Sequence, residues 1–259
     1  MSEKLKIAAR GEGPELVLLH GWAMHSGIWS KLVDVLASEF RVNLVDLPGH
    51  GINRHVPLSR ELDALAAMIL SELPPAIWMG WSLGGLVTLA AAIGQPEKVQ
   101  KAILVSASPS FAEQEGWDCG VSRSAQQAFS NGLESDFEET LNQFWLQCFG
   151  ANWSAESLRL LGKSVVGDNL PEKSVLQNGL HLLYSNNLLA DSSRCNVPTL
   201  FVGGTRDRTI TPESFTRAAL KMPLAGSHLI RAAGHAPFIS HQDRFLDIFH
   251  GFLNGERAA

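Results

Sequence analysis

Cysteine is scarce in this chain. Three cysteines occur in 259 residues, Cys119, Cys148 and Cys195. Their odd number excludes a closed disulfide framework, and their spacing matches no metal site, so they read as reduced thiols in a cytoplasmic protein. Long hydrophobic runs are missing as well. No apolar stretch reaches the roughly 18–20 residues that span a bilayer, so no membrane association is expected. The start, Met1-Ser2-Glu3-Lys4-Leu5-Lys6-Ile7, alternates charged and apolar residues and reads as a strand rather than a signal peptide. Positive charge is not in excess. The formal net charge is −5, which argues against nucleic acid as a general partner. No Gly-rich dinucleotide loop, P-loop or His-x-x-x-His pair is present, so neither a cofactor nor a metal is expected. Repeats and low-complexity segments are absent. What remains is 45% hydrophobic and 18% charged, the balance of a folded globule. The length suffices for one α/β domain carrying an insertion.

Apolar, β-branched runs mark strands near residues 3–9, 15–19, 41–46, 76–80, 102–107, 199–203 and 227–231. Helical patterns fall between them, including Ile28 to Ser38, Leu58 to Leu73, Leu83 to Gly94 and Arg244 to Leu253. Such alternation predicts an α/β protein with a doubly wound, mostly parallel sheet. Asp46-Leu47-Pro48-Gly49-His50-Gly51 follows a central strand as a tight turn, with Asp46 as a structural hydrogen bonder. The alternation breaks between strands 102–107 and 199–203, where far more chain intervenes than a simple crossover needs. Helical stretches are expected there near Ser122–Asn131, Asp136–Phe149, Ala155–Val166 and Pro171–Asn186. The predicted organisation is a core of residues 1–109 and 188–259 with a helical cap inserted at 110–187.

Gly80-Trp81-Ser82-Leu83-Gly84 is the most informative motif. It follows the apolar run Ala76-Ile77-Trp78-Met79 and opens the helical run from Leu86 to Ile93. Strand, Gly-x-Ser-x-Gly, helix is the pattern of a nucleophile elbow. The turn is so tight that Ser82 must adopt a strained backbone, with its hydroxyl projecting at the top of the sheet. Side chains at 80 and 84 would strike the neighbouring helix and strand, so both are Gly.

Partners for such a serine lie downstream. Thr199-Leu200-Phe201-Val202-Gly203-Gly204 reads as a buried parallel strand running into the polar loop Thr205 to Pro212, which holds Asp207. His228-Leu229-Ile230 is followed by Ala232-Ala233-Gly234-His235-Ala236-Pro237-Phe238. The order Ser82, Asp207, His235 is one of the known triad orders. His235 can take and return a proton near neutral pH. Asp207 would orient the imidazole and stabilise its charged form. Asp191, before the strand, and Asp243, after the histidine, are rivals for the acid that read better as surface or capping residues. An oxyanion hole is expected from the backbone N–H of Leu83, after the nucleophile, and of Trp22, after the strand Leu16-Val17-Leu18-Leu19 and His20-Gly21. His20 reads as a structural histidine rather than a second base. In the cap, Phe137, Leu141, Phe144, Trp145 and Cys148 recur at helical spacing, which marks a packing face that partly overhangs Ser82. Phe144 and Gln147, with Gln143, are the expected pocket-lining residues of this helix, joining Trp22, Ser82, Leu83 and His235.

On these motifs the chain resembles the α/β-hydrolases over its whole length. It is most similar to the pimeloyl-[acyl-carrier protein] methyl ester esterases of biotin synthesis. The likeness rests on Leu18-Leu19-His20-Gly21-Trp22, Leu44-Val45-Asp46-Leu47-Pro48-Gly49, Ile77 through Val87, and His235-Ala236-Pro237-Phe238-Ile239-Ser240-His241. The resemblance implies a cytoplasmic carboxylesterase that removes the methyl group from a pimeloyl chain on acyl carrier protein, and that also hydrolyses small esters. A monomer is expected. One departure stands out. In that family basic cap residues meet the acidic carrier, whereas residues 110–187 here hold ten Asp or Glu and four Lys or Arg. A docking face would have to be local, around Arg159 and Lys163, which stand at i and i+4. A general carboxylesterase, a carbon–carbon bond hydrolase and a non-catalytic binding protein of this fold remain alternatives. The complete triad speaks against the last of these.

Overall fold

The computed structural model describes residues 4–149 and 170–255. Seven strands form one sheet: β1 (Ile7–Arg10), β2 (Glu15–Leu19), β3 (Arg41–Val45), β4 (Ala76–Trp81), β5 (Val99–Val105), β6 (Thr199–Gly204) and β7 (Ala225–Ile230). Their spatial order is β1-β3-β2-β4-β5-β6-β7. All neighbours are parallel except β1, which runs antiparallel to β3 at the edge. Helices α1 (Ser30–Leu36), α2 (Leu62–Ser71) and α3 (Leu83–Gly94) connect the first strands, and α8 (Pro212–Lys221) connects β6 to β7. The chain closes with α9 (Pro237–Ser240) and α10 (Gln242–Leu253). The α/β class and the mostly parallel sheet agree with the sequence pattern.

Burial explains which strands sit centrally. Residues Leu16 to Leu19 of β2, Trp78 and Met79 of β4, Ala102 to Leu104 of β5 and Leu200 and Phe201 of β6 are fully buried. A parallel strand covered on both faces needs apolar side chains at every position, and these runs supply them. β1 carries mostly exposed residues, as an edge strand can.

Element ends differ from the sequence expectation for local reasons. β1 begins at Ile7 rather than near residue 3 and stops before the turn Gly11-Glu12-Gly13-Pro14. The stretch expected as one helix from Ile28 is split, a 3₁₀ turn at Ser26–Trp29 preceding α1. α2 starts at Leu62 and not at Leu58, after a turn in which the Glu61 N–H donates to the Ser59 hydroxyl at 3.0 Å. α8 begins inside the loop read as polar, with Pro212 suited to a first helical turn.

The long connection leaves and returns between neighbours. β5 pairs directly with β6, with Ala102 opposite Thr199 and Val105 opposite Val202. The chain between them leaves the sheet at the carboxyl end of β5. It carries α4 (Arg123–Ser135), α5 (Phe137–Phe149), α6 (Lys173–Ser185) and the short α7 (Leu189–Ser192). Its two roots meet, Ser110 pairing antiparallel with Asn187 and the Asn187 amide donating to Gln114 at 2.8 Å. The entry segment rests on α8. The Arg217 guanidinium lies 5.2 Å over the Trp117 ring, and the Thr211 hydroxyl donates to the Cys119 carbonyl at 2.7 Å. The expected helix Ala155–Val166 lies outside the described residues. Among the described residues, no helix is long and apolar enough to cross a membrane.

Candidate active site

Strand ends concentrate strain in this molecule. Among the described residues, four that are not Gly have positive φ: Ala23, Ser82, Ser106 and Ala232. Each follows a sheet strand, β2, β4, β5 and β7 in turn, at its carboxyl end. Sparsely populated backbone of this kind persists only where the surroundings enforce it, and it gathers at functional sites. Ser82 has φ 53° and ψ −114°. Its own N–H donates to the Val105 carbonyl at 2.9 Å, and its carbonyl accepts from Leu86 at 3.1 Å, which pins the turn on both sides. A Cβ at residue 80 would collide with the Gly84 carbonyl, and one at residue 84 with the Leu19 and His20 carbonyls. The two glycines let α3 lie against β4 and β2 at the distance the turn needs.

Asp207 and His235 are brought together from loops after β6 and β7. His235 Nδ1 lies 2.8 Å from Asp207 Oδ2, and both side chains are fully buried. The other carboxylate oxygen, Oδ1, accepts backbone N–H bonds from Thr209 at 2.9 Å and Ile210 at 3.1 Å. The buried carboxylate is thus met by three nitrogen groups, two backbone N–H and one ring nitrogen. Nδ1 of His235 must carry the proton to donate to it, which leaves Nε2 as the basic nitrogen. That Nε2 is buried and has no hydrogen-bond partner among the described residues. A second contact fixes the loop: the Trp81 indole N–H donates to the His235 carbonyl at 2.8 Å, with ring centroids 5.6 Å apart. Ser82, the next residue after Trp81, is thereby tied to the histidine loop through the main chain.

The loop after β2 is built around His20. Its Nε2 accepts the Leu47 N–H at 2.9 Å, so the proton sits on Nδ1, which donates to the Gly21 carbonyl at 2.8 Å. In a trans peptide the carbonyl of one residue and the N–H of the next point opposite ways. Holding the Gly21 oxygen therefore aims the Trp22 N–H away from His20. Neither the Trp22 N–H nor the Leu83 N–H donates to an acceptor among the described residues. Burial, reinforced by His50, pushes the His20 pKa down to about 3, and burial takes His50 to about 4. Both imidazoles are neutral at physiological pH, and His20 is a hydrogen-bonding anchor. Asp46 accepts the N–H groups of Ser26 at 2.6 Å and Ile52 at 2.9 Å, the turn-forming role its loop suggests.

The remaining expected residues are spread out. Phe144 is buried on α5, edge-on to Trp22 with centroids 5.0 Å apart. Gln143 and Gln147 are exposed, and Gln143 donates to Glu139 at 2.6 Å along the helix. The packed face of α5 runs through Leu141, Phe144 and Cys148, so the glutamines flank it rather than share it. Arg159 and Lys163 lie outside the described residues. Asp191 pairs with Arg194, and Asp243 stands in the first turn of α10, so neither meets a histidine of this site. The cysteines are free and buried. Burial and the charge of Asp207 push the Cys148 thiol well above its ordinary pKa, leaving it protonated and unreactive. Among the described residues, no group of three or more His, Cys, Asp or Glu could hold a metal ion. Residue spacing carries no signal for the indole bond of Trp81 to His235, which joins loops 154 positions apart, whereas the two N–H groups on Asp207 belong to its own turn, two and three residues on.

Known proteins match this arrangement along its length. The model of the alpha/beta hydrolase family matches residues 16–248. The pimeloyl-[acyl-carrier protein] methyl ester esterase of Xanthomonas campestris pv. campestris (strain B100) is 37% identical over 250 residues, covering 96% of this chain and 98% of that one. The enzyme of the same name from Nitrosomonas europaea is 38% identical over 248 residues, covering 95% and 98%. Among solved structures, an esterase from Exiguobacterium antarcticum superposes with a TM-score of 0.87 at 18% identity, covering 97% of this chain and 96% of that one. A bromoperoxidase from Bacillus anthracis gives 0.86 at 23%, covering 96% and 94%. Identities this low speak for the fold alone. The full-length family match, together with relatives sharing more than a third of their residues, establishes that this chain belongs to the α/β-hydrolase family.

Proposed function

We propose that this chain is a serine carboxylesterase that hydrolyses the methyl ester of a pimeloyl chain carried on acyl carrier protein. The chemistry rests on one observation above all: a buried Asp207–His235 pair whose Nε2 has no partner among the described residues, on a loop bonded to Trp81, the residue before the strained Ser82. The substrate is carried by the relatives at 37–38% identity. In this reading Ser82 Oγ attacks the ester carbonyl carbon as its proton passes to His235 Nε2. Negative charge gathers on the carbonyl oxygen, where the N–H groups of Trp22 and Leu83 receive it. The tetrahedral adduct collapses, the carbon–oxygen bond to the methoxy group breaks, and His235 returns the proton so that methanol leaves. Water, deprotonated by His235, then attacks the acyl-enzyme, freeing the carboxylate and restoring Ser82. Trp22, Phe144, Gln143 and Gln147 are proposed to border the acyl chain. Residues 110–187 form the cap in this scheme, and 1–109 with 188–259 the core. Arg159 and Lys163 are the proposed carrier contacts.

The test is covalent. An organophosphonate should label Ser82 stoichiometrically. Ser82→Ala should abolish labelling and lower kcat on the order of 10⁴ to 10⁶. Mass spectrometry placing the adduct on another serine would end the assignment. Rates on methyl pimeloyl-carrier protein, measured beside a short nitrophenyl ester, decide between the carrier-linked esterase and a general carboxylesterase.

A further inference from the structure

Trp22 has two polar groups that face different parts of the molecule. Its backbone N–H belongs to the loop after β2 and has no acceptor among the described residues. Its indole N–H donates at 2.8 Å to the Leu176 carbonyl in α6. The indole ring meets Phe129 of α4 with centroids 5.4 Å apart and Phe144 of α5 at 5.0 Å, both edge-on. Gly179 of α6 completes the contact. A Cβ there would stand 2.7 Å from Trp22 Cδ1, 3.1 Å from Nε1 and 3.6 Å from Leu83 Cδ2. One side chain therefore touches all three long cap helices among the described residues. α6 also lies against Leu83, whose N–H is the other proposed donor.

We infer that Trp22 is a positioning residue that couples the seating of the cap to the alignment of the oxyanion hole. This rests on the reading of its N–H as an oxyanion donor. The peptide between Gly21 and Trp22 is gripped from two sides. His20 Nδ1–H holds the Gly21 oxygen, and the indole holds the Cα–Cβ direction of residue 22 against α6. A buried indole N–H without an acceptor is costly, so the ring follows α6 when the cap shifts. The backbone N–H then turns with it. A hydrogen-bond donor aimed at developing charge loses its effect over a displacement of about an ångström. An ester that seats the cap thus meets an aligned hole, and a displaced cap leaves Ser82 and His235 intact but the oxyanion poorly held.

A double-mutant cycle tests this. Trp22→Phe keeps the backbone N–H and a ring but removes the bond to Leu176. Gly179→Ala pushes on the indole from the cap and leaves the core sequence unchanged. With a nitrophenyl ester, each single change should lower kcat about 10-fold and move KM less than about threefold, since a partial misalignment costs less than losing a donor outright. In the Trp22→Phe background, Gly179→Ala should cost less than about twofold, because the indole bond to Leu176 through which the cap is proposed to act is already lost. Affinity for a trifluoromethyl ketone should fall in step with kcat/KM. Its carbonyl carbon bonds to Ser82 Oγ, the serine proton moves to His235, and the resulting alkoxide occupies the hole. Additive losses in the cycle, or a rise in KM at unchanged kcat, overturn the coupling and leave Trp22 a pocket wall. If Trp22→Phe does not fold, Gly179→Ala alone decides. Unchanged kcat and ketone affinity in that variant overturn the coupling, and a parallel fall at unchanged Tm sustains it. Ser82→Ala, run alongside, separates the two ideas. Hydrolysis that survives it defeats the esterase reading, whereas an inactive Ser82→Ala with an additive cycle defeats only the coupling.

Discussion

Asp207 shows how much one carboxylate decides. Oδ1 is committed to two backbone N–H groups, and Oδ2 faces His235 Nδ1. In Asp207→Asn the amide oxygen stays with the two N–H groups, and the amide NH₂ must face the imidazole. Nδ1 then becomes an acceptor and the ring proton moves to Nε2, the atom proposed to take the serine proton. We expect the fold to be kept and kcat to fall by roughly 10⁴. Circular dichroism and steady-state kinetics check this, and near-normal activity would show that the acid lies elsewhere. The places of Ser82, Asp207 and His235 after strand ends were legible in the sequence, because the apolar strand runs before them mark those ends. The donors on Asp207 were not, since a backbone N–H leaves no trace in residue identity.

Elements meet at Trp81. It ends β4, and its indole N–H reaches the His235 carbonyl beyond β7, while its ring packs against Phe238 at 5.4 Å. Trp81→Phe leaves a buried carbonyl unpaired, at a cost of about 1–3 kcal/mol. We expect Tm to drop by several degrees and kcat to fall about 10-fold with KM little changed, since a loosened base misplaces the proton transfer. A lower Tm with unchanged kcat would mean that the indole only packs. The existence of most strands and helices could be read from periodicity, since burial imposes it. Their ends could not, because the Ser59 turn before α2, the glycines at 11 and 13 and the 3₁₀ turn before α1 act locally. The packed face of α5, through Leu141, Phe144 and Cys148, was legible in the same way, whereas Gln147, expected to share the face of Phe144, is exposed at its border.

At the scale of the molecule, buried neutral histidines tie stability to pH. Burial holds His20 at about 3 and His50 at about 4, against an ordinary 6.5 for an unfolded chain. Between those values the unfolded state binds more protons than the folded one, so stability falls as pH falls. The loss starts below about 6.5 and continues to the folded pKa values, with a slope of up to ~1.4 kcal/mol per pH unit for each histidine. Urea midpoints measured from pH 7 to pH 4.5 should decline, and His50→Gln should flatten the slope whatever it does to the midpoint at pH 7. An unchanged slope would mean that His50 is protonated in the fold. Carrier docking also belongs to this scale. If Arg159 and Lys163 receive the carrier, Arg159→Glu with Lys163→Glu should raise KM for the carrier-linked ester and spare a small free ester. The difference should shrink as salt rises toward ~0.5 M. Equal effects on both esters would point to damage within the cap.

The sequence by itself determined the α/β alternation, the long connection between β5 and β6, the elbow glycines and the chain order in which Ser82, Asp207 and His235 follow strand ends. Each of these follows from a local rule: strand burial, steric exclusion of a Cβ, or a loop at a strand end. Only the tertiary structure decided which groups meet. It set Trp81 against His235, Trp22 against α6, and His20 between Leu47 and Gly21. These contacts join residues as far as 154 positions apart. No periodicity or spacing records such a pairing, because it depends on how whole elements pack, and the same indole could donate to any carbonyl that packing brought near.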